Sequence, residues 1–325
     1  MTNVAVVGGG AWGTALALTA ARAGNAATLI ARDRAIVEAV AQRTENPRYL
    51  PGVRVEGIAA TSDPARLAEA AIVVIAVPAQ VVRTVAAALV PHIVAQTPLI
   101  IAAKGLERTT GKRLSEAVAE AVPQAVVAVL SGPSFASDVA RGLPTAVTIA
   151  AADEGLALSL CRTLASPGFR PYAETDVTGV EIGGAVKNVL AIAAGIVSGR
   201  QLGASASAAM VARAFAELRR LGEAMGARAE TLMGLSGLGD LVLTCSTPQS
   251  RNFSYGVTIG AGGNPNAPHP LVEGIATAAV TRTLARRHRI EMPIAEAVAA
   301  IIEDGFSVDA AIEALMARPL RRETD

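Results

Sequence analysis

The chain has 325 residues, of which 51% are hydrophobic, and a formal net charge of +1. This length favours about two domains, and the interspersed acidic and basic residues argue against a nucleic-acid or other polyanionic partner. Since no uncharged apolar run reaches the roughly 18 residues that a membrane span requires, we expect no integral membrane segment.

The N-terminus and the cysteines favour a cytoplasmic protein. Met1 is followed almost at once by an apolar strand pattern, without the charged leader and cleavage site of a signal peptide. The two cysteines, Cys161 and Cys245, are sparse and far apart in the sequence, which is typical of free cytosolic thiols. The histidines form no ligand-spaced cluster, so we expect no metal site.

Short Val/Ile/Ala runs alternate with helical patterns in the first half of the chain. The alternation predicts βαβ units around a doubly wound, mostly parallel sheet of the Rossmann type. The predicted strands are 3–7, 27–31, 71–77, 98–102, 125–130 and 145–150. The predicted helices are 11–23, 34–43, 81–90 and 114–121.

The second half has a different pattern. From about Asp176 onward, long Ala-rich apolar segments predict an all-helical region. We therefore predict a dinucleotide-binding domain over 1–176 and a helical substrate-binding and catalytic domain over 177–325. The Gly-, Pro-, Asn- and Ser-rich stretch 244–270 is interpreted as a long functional loop. Because the helical half is apolar and rich in Ala, we also expect a homodimer.

A glycine-rich turn follows the first predicted strand. Gly8, Gly10 and Gly13 form a GxGxxG pattern between a strand and a helix. In that context Gly8 permits the tight turn, Gly10 lets the backbone approach a pyrophosphate, and Gly13 lets the helix pack closely on the strand. The helix N-terminus faces the anion. The pattern therefore predicts a nicotinamide dinucleotide site.

The end of the second predicted strand bears on the choice between NADP and NAD. It reads Arg32-Asp33-Arg34. An acidic residue here usually accepts the ribose 2′-hydroxyl of NAD, whereas guanidinium groups favour the 2′-phosphate of NADP. We therefore expect NADP(H) to be favoured, while Asp33 leaves NAD(H) use open.

One lysine lies inside an apolar, glycine-rich helical segment. Burial of Lys187 disfavours its cation and lowers its pKa toward the range useful for proton transfer. Small residues on its helical face predict a groove for a ligand beside the amine: Gly183, Gly184, Ala191 and Gly195. The alternative is a lysine that reaches solvent or pairs with Glu181.

Polar residues follow two predicted strands and recur in the helical half. Lys104 and the segment 131–136 follow strands at the carboxyl edge, where open α/β sheets bind ligands. Asp240 and the segment 250–252 add an acid, an Arg and hydroxyl or amide donors. Because Arg is well shaped for a phosphate, this set suits a small polyol phosphate.

The chain resembles the bacterial-type NAD(P)-dependent glycerol-3-phosphate dehydrogenase family from Val4 to about Gly305, and nine motifs in order carry the resemblance. The motifs are GGGAWGTALA, ENPRYLPG, AVPAQ, KGLE, SGPSFA, GGAVKNVLAIAAG, GLSGLGDLVLTC, SRN and VEG. The resemblance implies reversible reduction of dihydroxyacetone phosphate to sn-glycerol 3-phosphate with NADP(H) or NAD(H). It further implies a supply of glycerol 3-phosphate for glycerophospholipid synthesis.

The resemblance also implies roles for individual residues. Lys187 matches the proton-acceptor position, and Lys104 matches a contact with both cofactor and substrate. The other substrate-binding positions are matched by Gly132, Ser134, Asp240, Ser250, Arg251 and Asn252. The other cofactor-binding positions are matched by Ala11, Trp12, Arg32, Tyr49, Ala136, Arg251, Leu271 and Glu273. Two departures from the family pattern are Ala11, where Ser is common, and Asp138, where Glu is usual.

Two other functions remain as alternatives. A β-hydroxyacid dehydrogenase of similar layout also uses a Lys on the first helix of its second domain, but its substrate ends in a carboxylate. The SRN segment together with Asp240 argues against it. A non-catalytic dinucleotide sensor would keep the glycine-rich turn without needing Lys104, Lys187 and Asp240 together.

Overall fold

A computed structural model of the chain describes residues 1–42, 44–320 and 322. Its N-terminal part, called the sheet region below, contains one eight-stranded sheet and a two-stranded hairpin. The strands are β1 (Asn3–Val7), β2 (Ala26–Ile30), β3 (Glu45–Asn46), β4 (Leu50–Arg54), β5 (Ile58–Thr61), β6 (Ile72–Ile75), β7 (Pro98–Ile101), β8 (Val126–Ser131), β9 (Thr145–Ala151) and β10 (Phe169–Glu174).

The order of strands in the large sheet creates a ligand-binding edge. The order is β10-β9-β8-β7-β6-β1-β2-β5, and all neighbours pair in parallel except β8 and β9. The chain winds in opposite directions from β1 and β6, so the switch point lies between these two strands. Open α/β sheets bind ligands at this point, outside the carboxyl ends of the strands.

Six helices cover the two faces of the large sheet. They are α1 (Ala11–Arg22), α2 (Arg34–Ala41), α3 (Val82–Leu89), α4 (Leu114–Ala121), α5 (Ala136–Ala140) and α6 (Glu154–Leu164). The period-two alternation of β1 divides its side chains between two cores, since Val4 and Val6 join one and Ala5 and Val7 the other. A strand buried on both faces is apolar throughout, which explains the VAVV run.

The C-terminal part, called the helical region below, packs around one central helix. Its helices are α7 (Val177–Gly199), α8 (Ala204–Ala224), α9 (Ala229–Met233), α10 (Asp240–Cys245), α11 (Arg251–Gly260), α12 (Glu273–His288), α13 (Pro293–Glu303) and α14 (Val308–Met316). By length and composition α7 could cross a membrane, but 94% of its apolar window is buried inside the protein. The helix is apolar because neighbouring helices surround it.

The stretch 244–270 is not a plain loop. Residues Arg251–Gly260 form α11, and α10 extends to Cys245, so the predicted loop is wrong over these residues. The glycines of α11 caused the error. A Cβ at Gly256 would lie 2.9 Å from the Cα of Gly195 on α7. Glycine therefore allows two helices to approach closely here, rather than breaking the helix that contains it.

The predicted strands and helices of the sheet region correspond to observed ones, with ends shifted by a few residues. The predicted end of the second helix at Arg43 lies outside the described residues. The sequence interpretation missed β5, β10, the β3–β4 hairpin, α5 and α6. The strands β5 and β10 are the two edges of the sheet and are half exposed, so they lack the continuous apolar run that identifies a buried strand.

Candidate active site

The glycine-rich turn connects β1 to α1 at the switch point. Gly8 has φ +127°, and a Cβ there would lie 2.6 Å from the carbonyl oxygen of Ala76, while a Cβ at Gly13 would overlap the carbonyl oxygen of Gly8. In contrast, a Cβ at Gly10 would meet nothing within 4 Å. Gly10 is also the N-cap of α1 and supplies no side-chain cap. The space beside Gly10 at the start of α1 is thus open, which fits the close approach of a dinucleotide pyrophosphate to the helix N-terminus.

Two side chains hold this turn, Asn46 from outside the GxGxxG pattern and Trp12 from within it. The buried Asn46 of β3 donates from Nδ2 to the carbonyl oxygen of Gly9 at 2.9 Å and to Oγ1 of Thr14 at 2.8 Å. Trp12 donates from Nε1 to the carbonyl oxygen of Ala102 at 3.0 Å. Asn46 lies in the ENPRYLPG motif, but no role for this residue was predicted from the sequence.

The predicted cofactor-binding residues after β2 differ in their exposure and in the contacts that they already make. Arg32 is exposed. Asp33 caps α2 by accepting the N–H of Ala35 on Oδ1 at 3.0 Å, and its Oδ2 lies 3.8 Å from Nη1 of Arg48. Tyr49 is 44% exposed, with the guanidinium of Arg48 5.2 Å from its ring centroid. One oxygen of the carboxylate that could bind a ribose hydroxyl is therefore engaged as the cap of α2.

Two lysines from different parts of the fold share one carboxylate. Lys104 follows β7, Lys187 lies in the middle of α7, and Asp240 begins α10 directly after a π-helical turn, Leu235–Gly239. Nζ of Lys104 lies 2.7 Å from Oδ2 of Asp240, and Nζ of Lys187 lies 3.1 Å from Oδ1. Lys104 also donates to the carbonyl oxygen of Gly132 at 2.7 Å. We call these three side chains the lysine–aspartate cluster.

Burial and charge set the proton affinities of this cluster. Burial and, to a smaller degree, the positive charge of Lys104 lower the pKa of Lys187, the carboxylate of Asp240 opposes both, and the resulting pKa is about 8. Burial by itself would raise the pKa of Asp240, but the charges of the two lysines outweigh it and hold that pKa below its usual range. Asp240 is thus ionised, and Lys187 can gain or lose a proton near neutral pH.

Two further residues contact the lysine–aspartate cluster. Neither of them was predicted from the sequence. Thr244 accepts a hydrogen bond on Oγ1 from Nζ of Lys187 at 2.6 Å and donates to Oδ1 of Asp240 at 3.3 Å. Asn188 donates from Nδ2 to the carbonyl oxygen of Lys104 at 3.2 Å. A signal for Thr244 exists in the sequence, since it follows Asp240 by one helical turn in the same motif.

The SRN segment forms the first turn of α11. The Oγ of Ser250 caps this helix by accepting the N–H of Phe253 at 3.2 Å. The amide of Asn252 donates to Oδ1 of Asn188 at 2.9 Å and accepts the N–H of Gly274 at 2.9 Å. Arg251, in contrast, is exposed. Asn252 therefore connects the SRN segment to the lysine–aspartate cluster, and Arg251 keeps its guanidinium free of that framework.

The other predicted site residues have distinct positions. Ser134 donates to the carbonyl oxygen of Gly132 at 2.9 Å, and Ala136 begins α5, beside α1. Glu273 begins α12 and accepts the N–H of Ala79, just after β6, at 3.2 Å. Burial raises the pKa of Glu273. Leu271 is 47% exposed.

One expectation about the surroundings of Lys187 is wrong, and the alternative pairing of this lysine with Glu181 is not observed. The glycines on its face do not leave a groove, because Cβ atoms at Gly183 and Gly195 would lie 2.7 Å from the Ser236 oxygen and 2.8 Å from the Gly256 Cα. The space is occupied by neighbouring backbone. Lys187 does not pair with Glu181 either, since that carboxylate accepts hydrogen bonds from Ser115.

Both predicted free thiols are confirmed, Cys161 and Cys245 being buried and unpaired.

The fold and the site together define a class of protein. A doubly wound sheet with a glycine-rich turn at its switch point, together with a buried lysine of lowered pKa, is typical of a nicotinamide-dependent dehydrogenase. Family models described as the NAD-dependent glycerol-3-phosphate dehydrogenase N-terminus and C-terminus match residues 3–157 and 176–313. The chain belongs to the NAD-dependent glycerol-3-phosphate dehydrogenase family, and it is an oxidoreductase that uses NAD or NADP.

Individual relatives agree with this assignment over the full length. The glycerol-3-phosphate dehydrogenase (NAD(P)+) of Bradyrhizobium sp. strain BTAi1 is 59% identical over 322 residues, which cover 99% of this chain and 98% of the relative. The crystal structure of glycerol-3-phosphate dehydrogenase from Coxiella burnetii is 38% identical, covers 98% of this chain and 99% of that one, and has a TM-score of 0.91. The predicted family and fold class are confirmed.

Proposed function

We propose that the protein reduces dihydroxyacetone phosphate to sn-glycerol 3-phosphate with NADPH or NADH, in a reversible reaction that supplies glycerophospholipid synthesis. The observation that carries the proposal is the lysine–aspartate cluster at the carboxyl edge of the sheet. It offers a titratable amine and a second lysine that follows β7, two strands away from β1, after which the glycine-rich turn lies. The name that close relatives bear, glycerol-3-phosphate dehydrogenase (NAD(P)+), supports the same substrate.

The proposed chemistry divides between the two lysines. The bound dinucleotide supplies the hydride. Lys187, with its pKa of about 8, donates the proton to the C2 oxygen during reduction and accepts it during oxidation. The cation of Lys104 stabilises the negative charge that develops on that oxygen. Asp240 holds both amines, and the hydroxyl of Thr244 orients Nζ of Lys187.

The SRN segment provides the proposed phosphate site. Arg251 is exposed at the first position of α11, where N–H groups and the helix dipole favour an anion. Its guanidinium can hold two phosphate oxygens at once. Ser250 and Asn252 keep this turn in place, and we propose that Gly132 and Ser134 contribute from the segment that follows β8. A carboxylate substrate would leave this arginine-and-helix site underused.

We further propose that NADP(H) is the favoured cofactor. Arg32 is exposed and available to a 2′-phosphate, whereas Asp33 is occupied as the cap of α2. Tyr49, Leu271 and Glu273 complete the proposed cofactor contacts together with the glycine-rich turn, Ala11, Trp12, Ala136 and Arg251. The ratio of the initial rates with NADPH and NADH measures this preference.

The organisation of the chain is also part of the proposal. A domain boundary between 176 and 177 is supported by the Asp176 cap that begins α7 and by the separate family matches before and after it. A homodimer is supported by the first half of α8, which is uncharged over 204–212 and mostly exposed. Sedimentation velocity measures the oligomeric state. A cytoplasmic location is supported by the two free thiols.

Replacement of the proposed proton donor tests the function. Lys187→Ala is expected to lower kcat for dihydroxyacetone phosphate reduction by about 10²–10⁴ because the chemical step loses its acid. Lys112→Ala is the control, since Lys112 is surface-exposed and pairs with Glu120. Absorbance at the nicotinamide band reports both rates. Near-wild-type turnover by Lys187→Ala would contradict the mechanism.

A parallel assay tests the substrate. NADPH and NADH oxidation by the wild-type protein is measured with dihydroxyacetone phosphate and, separately, with the oxidised form of a 3-hydroxy acid. Turnover of the phosphate alone supports the proposal. Turnover of the keto acid alone would assign the protein to the β-hydroxyacid chemistry instead, and no turnover with either would favour the non-catalytic sensor.

A further inference from the structure

A hydrogen-bond bridge joins the helical region to the sheet region next to the proposed phosphate site. Gln249 immediately precedes the SRN segment, and its Nε2 donates to Oγ of Ser137 at 2.7 Å and to Oδ1 of Asp138 at 3.2 Å. Ser137 also donates to Oδ1 of Asp138 at 3.2 Å. We call this three-residue contact the Gln249 bridge.

Both ends of the bridge adjoin residues assigned to substrate binding. On the helical side, Gln249 is the neighbour of Ser250, and on the sheet side, Ser137 and Asp138 follow the SGPSFA segment that contains Ser134. The two substrate-binding segments come from different regions of the fold, and the bridge ties them together through side chains. We propose that Gln249 is a positioning residue, which holds the SRN turn against the SGPSFA segment and so retains the substrate phosphate between them.

The two ends of the bridge differ in rigidity. Ser137 and Asp138 belong to α5, which packs on α1 and whose carbonyl oxygens at Val139 and Ala140 accept hydrogen bonds from Arg22. Gln249 is exposed and lies in the short connection between α10 and α11. The sheet side is therefore the anchor. On the helical side, the bridge ties the exposed connection before the SRN turn to this anchor, in addition to the hydrogen bonds that Ser250 and Asn252 make within the helical region.

The proposal rests on the proposed function and makes a separate kinetic prediction. Gln249 touches neither lysine, so its loss leaves the proton chemistry intact. Loss of two exposed hydrogen bonds in Gln249→Ala is expected to raise KM for dihydroxyacetone phosphate by about threefold and to change kcat by less than about twofold. A residue of the proton-transfer machinery would lower kcat instead.

A charge test distinguishes the bridge from a general structural role. Gln249→Glu sets a second carboxylate against Asp138, and the repulsion is expected to raise KM by about tenfold at low salt and less at high salt. Asp138→Asn removes the repulsion, so the double variant Gln249→Glu/Asp138→Asn is expected to return KM to within about threefold of wild type. Gln201→Glu, which makes the same charge change on the α7–α8 connection, is the control.

Hydrogen–deuterium exchange tests the Gln249 bridge independently of catalytic activity. In the protein without substrate, the segment 246–250 is expected to exchange faster in Gln249→Glu than in wild type, and the double variant to restore slow exchange. Unchanged exchange and unchanged KM in Gln249→Glu, or failure of Asp138→Asn to restore either, would overturn the proposal. If the wild type does not reduce dihydroxyacetone phosphate, the proposed function fails while the exchange data still decide whether the bridge holds the turn.

Discussion

Three effects set the proton affinity of Lys187, and one of them opposes the other two. Burial in α7 disfavours the ammonium ion, and the charge of Lys104 acts in the same direction, while Asp240 favours the ion. Because the net pKa is about 8, both the protonated and the neutral amine are accessible under ordinary conditions. A surface lysine, with a pKa near its usual value of about 10.4, would be a poor base at neutral pH.

The pH dependence of the reaction follows from this pKa. The protonated amine is the acid in ketone reduction, so kcat is expected to be level below pH 8 and to fall as the pH rises through about 8. Oxidation of glycerol 3-phosphate needs the neutral amine and is expected to rise over the same interval. Asp240→Asn should move the break to lower pH, and Lys104→Met should move it to higher pH, because each removes one of the opposing charges.

Rates measured in both directions from pH 6 to 10 check this expectation. The absolute rates of both variants will fall, since both residues are in the site, but the position of the break is independent of the amplitude. A break that stays at one pH in all three proteins would show that the titrating group is not Lys187.

At the scale of elements, close contact between α7 and α11 shapes the site. Gly195 and Gly256 approach each other across the two helices, and a Cβ at Gly195 would also overlap the carbonyl oxygen of Phe253. This contact brings the first turn of α11 alongside α7, where Asn252 reaches Asn188, the neighbour of Lys187. The distance between the proposed phosphate site and the proton donor thus depends on glycine packing.

Gly195→Ala tests this packing. The added methyl group meets backbone atoms that cannot rotate away, so we expect a loss of about 1–3 kcal/mol in the free energy of unfolding, together with a higher KM. Gly155→Ala, in the first turn of α6, is the control because its Cβ would meet only a side-chain oxygen of Asp153, at 3.2 Å. Its stability should stay within about 1 kcal/mol of wild type. Equal urea midpoints for the two variants would contradict the account.

At the scale of the whole molecule, a buried carboxylate connects the two regions. Glu181 on α7 accepts the N–H of Ser115 at 2.8 Å and lies 3.3 Å from Nη1 of Arg113, and both partners are at the start of α4 in the sheet region. Burial raises the pKa of the Glu181 carboxyl. The contact fixes α7 on the sheet, and α7 carries Lys187 to the ligand-binding edge.

Substitution of Glu181 should therefore destabilise the whole protein. Glu181→Ala leaves the buried partners of the carboxylate unpaired, and we expect it to lower the free energy of unfolding by about 3 kcal/mol. Glu181→Gln keeps an acceptor and should lose less. Glu116→Ala is the matched control, because Glu116 also pairs with Arg113, at 3.1 Å, but is exposed, and it should lose at most about 1 kcal/mol. Comparable losses for Glu181→Ala and Glu116→Ala in urea unfolding would contradict this role.

Local patterns in the sequence were sufficient to predict the Rossmann-type sheet, its buried strands, the glycine-rich turn and the helical second half. These features arise from hydrophobic periodicity and from backbone requirements that residues close in sequence express. The ordered motifs likewise identified the family, and the members of the candidate site were predicted from them. For Lys187, an apolar helical setting was enough to predict burial and a lowered pKa.

Tertiary structure decided the partners and the spacing. Asp240 joins two lysines that lie far from it in the sequence, and Asn46 supports a turn that belongs to another strand. The glycines around Lys187 predicted a groove, and those of α11 predicted a loop. In the structure these glycines instead allow neighbouring backbone to approach closely, which depends on segments that are distant in the sequence. Edge strands such as β10 were missed because half of their surface faces solvent. Hydrophobic periodicity indicates which residues of a segment are buried and which are exposed to solvent. It carries no information about which distant segment packs against the buried ones.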